Sequence, residues 1–180
     1  MQQTSSTQFV DSDALKAQVD AEIAARMLVE ADYARYIHRR GVHVGELRLL
    51  VGMDAASEVV EMPPLFRLPG APAGVKGLVN RHGRVVPVLD LLALFGSTYE
   101  RTSNAWLLVY GRGDEAVGLM IDSLPDRRKF VGDDQIGIAE ITHPIAVYAK
   151  AAYRDGQDIW IDLDMEKLFA TVFQIDPDEL

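Results

Sequence analysis

Residues 67–91 read RLPGAPAGVKGLVNRHGRVVPVLDL, and this stretch decides the fold. Two β-branched, largely apolar runs, 75–80 and 84–89, flank Arg81, His82 and Gly83. A link this short needs positive φ, which glycine adopts freely, so the runs predict an antiparallel hairpin. Asp90 then opens a short apolar helical turn through Phe95, which an aspartate can cap and Gly96 can end. Upstream, Pro69, Gly70 and Pro72 cannot continue a strand and mark a rigid loop.

The same design recurs downstream. Arg154-Asp155-Gly156-Gln157 follows Arg81-His82-Gly83-Arg84 at 154 − 81 = 73 residues, and Ile159 and Ile161 stand where the first copy has Val86 and Val88. Asp164, Leu168 and Phe169 repeat Asp90, Leu94 and Phe95 at 164 − 90 = 74. Val117-Gly118-Leu119 resembles Val51-Gly52-Met53 at 117 − 51 = 66. Because Asp90 and Asp164 both precede apolar turns, capping explains them better than acid–base work. Further strands are expected at 47–53, 57–62, 106–110, 116–122, 144–153 and 158–163. One supersecondary unit used twice, with short strands closed by turns, points to two small barrels with a groove between them.

Residues 13–41 read differently. No Gly or Pro interrupts 13–40, and Leu15, Val19, Ile23 and Met27 recur four apart. Arg39 and Arg40 would sit in the last turn and Gly41 would stop the helix. The expected organisation is a disordered tail at 1–12, a helix at 13–41, a two-lobed domain at 42–173 with its junction near 96–104, and an acidic tail at 174–180.

Composition narrows the function. The 180 residues include 18 basic and 27 acidic ones, for a net charge of −9, and no cysteine. That excludes disulfides, thiol nucleophiles and thiolate metal sites. So acidic a chain lacks the basic footprint a nucleic-acid binder needs. Apolar runs are too short for membrane insertion, and residues 1–8 lack a basic residue, so a cytoplasmic location is expected. His38, His43, His82 and His143 match no metal-binding or catalytic spacing, and no phosphate-binding glycine motif is present. No catalytic residue, metal or cofactor is expected. Arg127-Arg128-Lys129 reads as a solvated loop.

Residues 67–91 resemble the CheW-like domain family, in which an Arg-hydrophobic-Pro segment leads into a hairpin and an Asp-Leu turn. The resemblance covers about 42–172, and Val117-Gly118-Leu119-Met120-Ile121-Asp122 looks like the family's second lobe. It implies a mainly β fold of two five-stranded SH3-like barrels side by side, the N-terminal helix being an extension. It also implies a non-enzymatic scaffold. Such a protein couples a chemoreceptor's cytoplasmic tip to a histidine kinase regulatory domain, in chemotaxis or in type IV pilus twitching motility. An alternative class is a phosphorelay or small regulatory interaction module built on the N-terminal helix and His38.

The family carries an arginine just before the turn glycine, paired with a glutamate. Here His82 holds that place, Glu58 matches the glutamate, and Arg81 lies one residue earlier. A Glu58–His82 contact would be sensitive to pH near neutrality; Arg81 is the alternative partner, although neighbouring strand residues face opposite ways. The partner-binding residues implied are Glu58, Val59, Leu68, Pro69, Gly70, Val75, Gly77, Asn80, Arg81, His82, Gly83 and Val86. Val59, Leu68, Val75 and Val86 would be apolar anchors. Residue chemistry alone reads residues 80–83 as a well-formed turn.

Overall fold

The hairpin at the centre of the sequence forms as its residues dictate. In the computed structural model, which describes residues 12–101 and 105–174, β4 (Val75–Arg81) and β5 (Arg84–Leu89) pair antiparallel out to Arg81 and Arg84. His82 (φ 53°) and Gly83 (φ 80°) make the two-residue turn with both φ positive, the geometry that matches strand twist. Asp90 caps the short helix α2 (Leu91–Leu94), its Oδ1 accepting from the Leu92 N–H at 3.1 Å. The second copy behaves alike. β10 (Ala149–Asp155) and β11 (Asp158–Leu163) form a hairpin, and Asp164 caps α3 (Met165–Phe173) by accepting from the Lys167 N–H at 3.0 Å.

The fold is mainly β, with two sheets and an N-terminal helix, α1 (Ser12–Ala34). The remaining strands are β1 (Ile37–Val44), β2 (Leu47–Val51), β3 (Ala56–Glu61), β6 (Trp106–Tyr110), β7 (Val117–Ile121), β8 (Asp126–Phe130) and β9 (Gln135–Ile136). One sheet has the order β3-β6-β7-β5-β4 and the other β8-β1-β2-β11-β10-β9. These are one pattern used twice. β5 runs parallel to β7, with Val88 opposite Gly118, and β11 runs parallel to β2, with Ile161 opposite Leu49. Val88 and Ile161 are repeat equivalents, so Gly118 matches Leu49 at an offset of 118 − 49 = 69. The offset of 66 expected from sequence is therefore three residues out. Even β9, paired with β10, has its counterpart in the isolated bridge between Phe66 and Leu78 on β4.

The lobes are not consecutive halves. β3 to β7 build one lobe without interruption, whereas the other combines β1 and β2 with β8 to β11. The chain changes sheets at 52–55 and at 122–125, so the expected junction at 96–104 falls inside the course of the first lobe, and β7, expected in the second lobe, belongs to the first. Parallel pairing of β2 with β11 needs no contiguity in sequence, so a run-by-run comparison does not reveal it.

Three further expectations are corrected. The helix ends at Ala34, and Ile37, Val42 and Val44 belong to β1, where β-branched side chains pack well. Gly41 lies within that strand; a Cβ there would meet Asp126, Trp160 and Arg128 side chains at 2.6–2.9 Å. His38 is therefore on a strand, which removes the helix-borne histidine of the alternative class. Residues 127–129 form part of strand β8, with the Arg128 guanidinium 4.2 Å over the Trp160 ring. Residues 144–148 are a 3₁₀ turn rather than strand, with His143 Nδ1 accepting from the Ile145 N–H at 3.1 Å.

In α1 a spacing of four advances about 40° per step, so Leu15 to Met27 sweep about 120°. Glu22, Arg26 and Glu30 fall in or beside that arc, and Leu28 and Val29 fall outside it. The helix has no apolar face.

The larger core draws on both sheets: Val42, Leu49, Leu89, Leu108, Leu119 and Ile161 meet under α2 and α3. A smaller core fills the β3–β7 lobe, from Val79, Val86, Val88, Leu107, Val109 and Ala116. Strand alternation accounts for the division: on β6, Leu107 and Val109 face the small core while Leu108 faces the large one. Trp160 is 1% exposed, as its strand position requires, and Trp106 is half-buried.

Candidate functional site

One end of the β3–β7 lobe is an open mouth of about 640 Å³. Val86, Val109 and Ala116 form its apolar floor; Glu58, Arg81, His82, Arg84 and Arg112 form its rim. β3 supplies Glu58, the β4–β5 turn supplies Arg81 to Arg84, and the β6–β7 link supplies Gly111 to Gly113.

Glu58 pairs with Arg81, whose Nη2 donates to Oε1 and whose Nε lies 3.4 Å from Oε2. His82 Nε2 stands 3.4 Å from Oε1, and its ring is 78% exposed. Of the two partners the sequence offered, Arg81 is the principal one and His82 the lesser. The alternation argument fails because strand geometry ends at Arg81: His82 is at φ 53°, so the turn redirects it. The Arg81 hydrogen bond holds the Glu58 carboxyl below its ordinary range against an opposing contribution from burial, with Arg81 charge and His82 adding smaller amounts. Asn80 is committed to the turn, its Oδ1 accepting from the Gly83 N–H at 3.0 Å.

The other expected residues divide by burial. Leu68 (47% exposed) and neighbouring Phe66 (68%) project outward, and Leu68, Val75, Lys76, Met62, Leu65 and Met120 line a separate cavity of about 470 Å³. Pro69 is exposed and Gly70 sits at φ 74° in the loop that carries them. Val59 and Val75 are half-buried against the larger core. Two of the expected partner-binding residues, Val86 and Gly77, serve the fold itself. Val86 is 2% exposed and belongs to the lobe's own core. Gly77 has φ 147°, and a Cβ there would overlap the Phe66 carbonyl, whose oxygen accepts from the Leu78 N–H at 2.8 Å. Its role is to let that bridge close.

A second groove of about 720 Å³ adjoins the mouth and runs between the β6–β7 link and α3. Tyr110, Val117, Phe169 and Phe173 supply apolar walls, and Asp54, Asp114, Glu115 and Glu166 supply carboxylates. Burial, reinforced by Glu166 and Asp164, raises the Tyr110 phenol above its ordinary pKa. This is the groove between the lobes; it shares Gly111, Arg112 and Ala116 with the mouth but does not include residues 80–83.

Sequence reasoning missed a buried ion network. Arg101 donates to both oxygens of Asp90, Nη2 to Oδ1 at 2.9 Å and Nη1 to Oδ2 at 3.1 Å, and its Nε donates to Asp122 Oδ1 at 2.6 Å. Asp122 Oδ2 in turn accepts from the Gly45 N–H in the β1–β2 turn, tying the two lobes together. Lys76 Nζ stands 3.3 Å from Asp90. Burial pushes the Asp90 carboxyl up, but the Arg101 hydrogen bonds and charge and the Lys76 charge outweigh it and hold the group below its ordinary range. The capping pattern at Asp90 concealed this role, and Arg101 lay in an unpatterned polar connector. Among the described residues no cluster of three or more metal-ligating side chains exists.

Two like-ordered sheets meeting over a shared core, with an apolar-floored mouth on one lobe and an adjoining groove between the lobes, are the architecture of a docking scaffold. The CheW-like domain profile matches residues 41–173, and the chain belongs to that family. It is a CheW-type scaffold of chemosensory signalling, not an enzyme. Chemotaxis protein CheW of Thermotoga maritima is 20% identical over 142 residues, covering 79% of this chain and 93% of that protein. Protein PilI of Pseudomonas aeruginosa is 29% identical over 94 residues, covering 52% of this chain and 53% of PilI. Protein FrzA of Myxococcus xanthus is 31% identical over 102 residues, covering 56% and 60%. The crystal structure of scaffolding protein TtCheW from Thermoanaerobacter tengcongensis shares the fold, with a TM-score of 0.65 at 17% identity over 73% of this chain and 86% of that one.

Proposed function

We propose that this protein couples the cytoplasmic tip of a chemoreceptor to the regulatory domain of a histidine kinase. The observation that carries the reading is that the chain offers two docking surfaces sharing no lining residue, one on the β3–β7 lobe and one that runs from that lobe's mouth into the groove against α3. One is the Leu68–Val75 cavity with its exposed Phe66 and Leu68. The other is the mouth and adjoining groove around Arg112. A coupling protein needs two such surfaces on one rigid body. The kinase regulatory domain docks on the Leu68 face, where Pro69 and Gly70 fix the loop. A receptor helix lies along the groove and reaches the hairpin end at Glu58, Asn80, Arg81, His82 and Gly83. Val59 and Val75 support the first face from beneath, and Val86 floors the mouth. The setting is the cytoplasm, and the output is flagellar chemotaxis or pilus-based twitching. Among the described residues no helix is long and apolar enough to cross a membrane.

The test is reconstitution with a receptor cytoplasmic fragment and a kinase regulatory domain from the same genome. A ternary complex should form in analytical ultracentrifugation. Leu68→Glu should remove the kinase domain and keep the receptor; Arg81→Glu should do the reverse, both with an unchanged circular dichroism spectrum. A variant that loses both partners while folded, or neither, refutes the assignment of separate faces.

A further inference from the structure

In a chain of net charge −9, the mouth of the β3–β7 lobe runs against the average. Its rim holds Arg81, Arg84 and Arg112 against the single carboxylate of Glu58, leaving 3 − 1 = +2 with His82 neutral. Glu58 is occupied by Arg81. Arg84 and Arg112 have no ion-pair partner among the described residues, although Asp114 and Glu115 follow Arg112 in sequence. Those two carboxylates line the adjoining groove and not the mouth. The groove has the opposite balance: Asp54, Asp114, Glu115 and Glu166 against Arg112, or 1 − 4 = −3. Both have apolar linings, beside which a charge is screened less than on an open surface.

We infer that the two cavities receive one amphipathic helix of a protein partner whose direction is fixed by charge: its acidic end lies over Arg84 and Arg112, and its basic end lies over Asp54 and Glu166. This rests on the reading that the groove docks a partner helix, and it adds the partner's chemistry and orientation. Gly111, Arg112 and Ala116 line both cavities, so a single rod can cross from one to the other. Gly111 (φ 78°) contributes no side chain at the crossing point. An extended polyanion does not fit, because the groove beyond the mouth would repel it. Complementary charge of this kind sets register and suppresses the wrong partner or the wrong direction.

The probes are three short helical peptides with the same apolar stripe: one acidic at its N-terminal end and basic at its C-terminal end, one with the charged residues replaced by Gln, and one with the charges scrambled along the helix. Affinity is read by fluorescence anisotropy, and orientation by paramagnetic broadening of the Val86 and Phe173 signals from a nitroxide on either end. The polar peptide should bind on the order of tenfold tighter than the Gln peptide at low salt, and the advantage should shrink at high salt. The Arg84→Glu/Arg112→Glu protein should lose that advantage while its circular dichroism melt is unchanged. A label on the acidic end should broaden Val86 and spare Phe173, and a label on the basic end should do the opposite. Equal affinity for the polar, Gln and scrambled peptides refutes the charge inference and leaves the docking reading standing. So does broadening of Phe173 from the acidic end. No binding of any peptide up to about 1 mM overturns the docking reading and the inference with it.

Discussion

Replacing Arg101 by Ala tests the ion network most directly. The substitution leaves Asp90, whose side chain is 3% exposed, without its bidentate partner, and frees Asp122 at 13%. Removing one member of a buried pair costs about 3–5 kcal/mol, because the remaining charge is uncompensated. Two contacts of Asp90 survive: Lys76 at 3.3 Å and the Leu92 N–H at 3.1 Å. Lys76 is 45% exposed and so a weak substitute, and the expected loss is about 2–3 kcal/mol. For a domain of this size that lowers Tm by roughly 4–12 °C. The Asp90 carboxyl titrates in the folded state below its ordinary value of 3.8. Its pairing therefore stabilises the fold above that pH and is lost as the pH falls through the folded value, so the gap between the wild type and Arg101→Ala should close in acid. Urea unfolding at pH 7 and at successively lower pH reads both effects. A second variant, Asp90→Asn with Arg101→Met, keeps an N-cap and removes the buried charge, and should recover part of the loss. The reasoning fails if Arg101→Ala unfolds within about 0.5 kcal/mol of wild type at pH 7, or if the double variant is no more stable than the single one.

Other substitutions probe the backbone and the caps. Gly77→Ala combines a φ of 147° with overlap of the Phe66 carbonyl, and should destabilise by about 2 kcal/mol or more in chemical denaturation. Gly41→Ala forces a methyl against Trp160, Asp126 and Arg128, and should cost about 1–3 kcal/mol with a shifted Trp160 emission. The imidazole of His143 is held below its ordinary pKa by burial, and its neutral Nδ1 accepts from the Ile145 N–H. That contribution is complete above about pH 6.5 and falls as the pH drops toward the folded value. His143→Asn, a cap that does not titrate, should flatten the stability profile between about pH 7 and pH 5; an unchanged slope would remove His143 from the account.

The hairpins were legible because turn chemistry is local. His82 and Gly83 demand one link geometry, and Gly156 demands a similar one, whatever surrounds them. Asp90 and Asp164 were legible as caps for the same reason. The end of α1 was not, since Ile37 to Gly41 satisfied a helical reading until β8 and β2 became the neighbours of their strand. Strand β8 was hidden because three consecutive basic residues resemble a loop; the Trp160 ring that receives Arg128 lies on a distant strand. At the hairpin end, sequence brought Glu58 together with the right turn but left His82 and Arg81 as rival partners. Alternation holds only while the strand lasts, and the reach of an arginine past its end is a three-dimensional property.

By itself the sequence determined a mainly β chain of repeated hairpins with capped turns, an acidic non-enzymatic scaffold, and the segment that carries the family. Those properties reside in neighbours along the chain. Tertiary structure decided that one lobe closes with β1 and β2 from one end of the chain and β8 to β11 from the other. It also decided that Arg101 holds Asp90 and Asp122 together, and that the positive mouth and negative groove adjoin at Arg112. The physical reason is common to all three: parallel strand pairing, burial of charge and the shape of a cavity depend on which distant residues meet, and spacing along the chain does not encode that meeting.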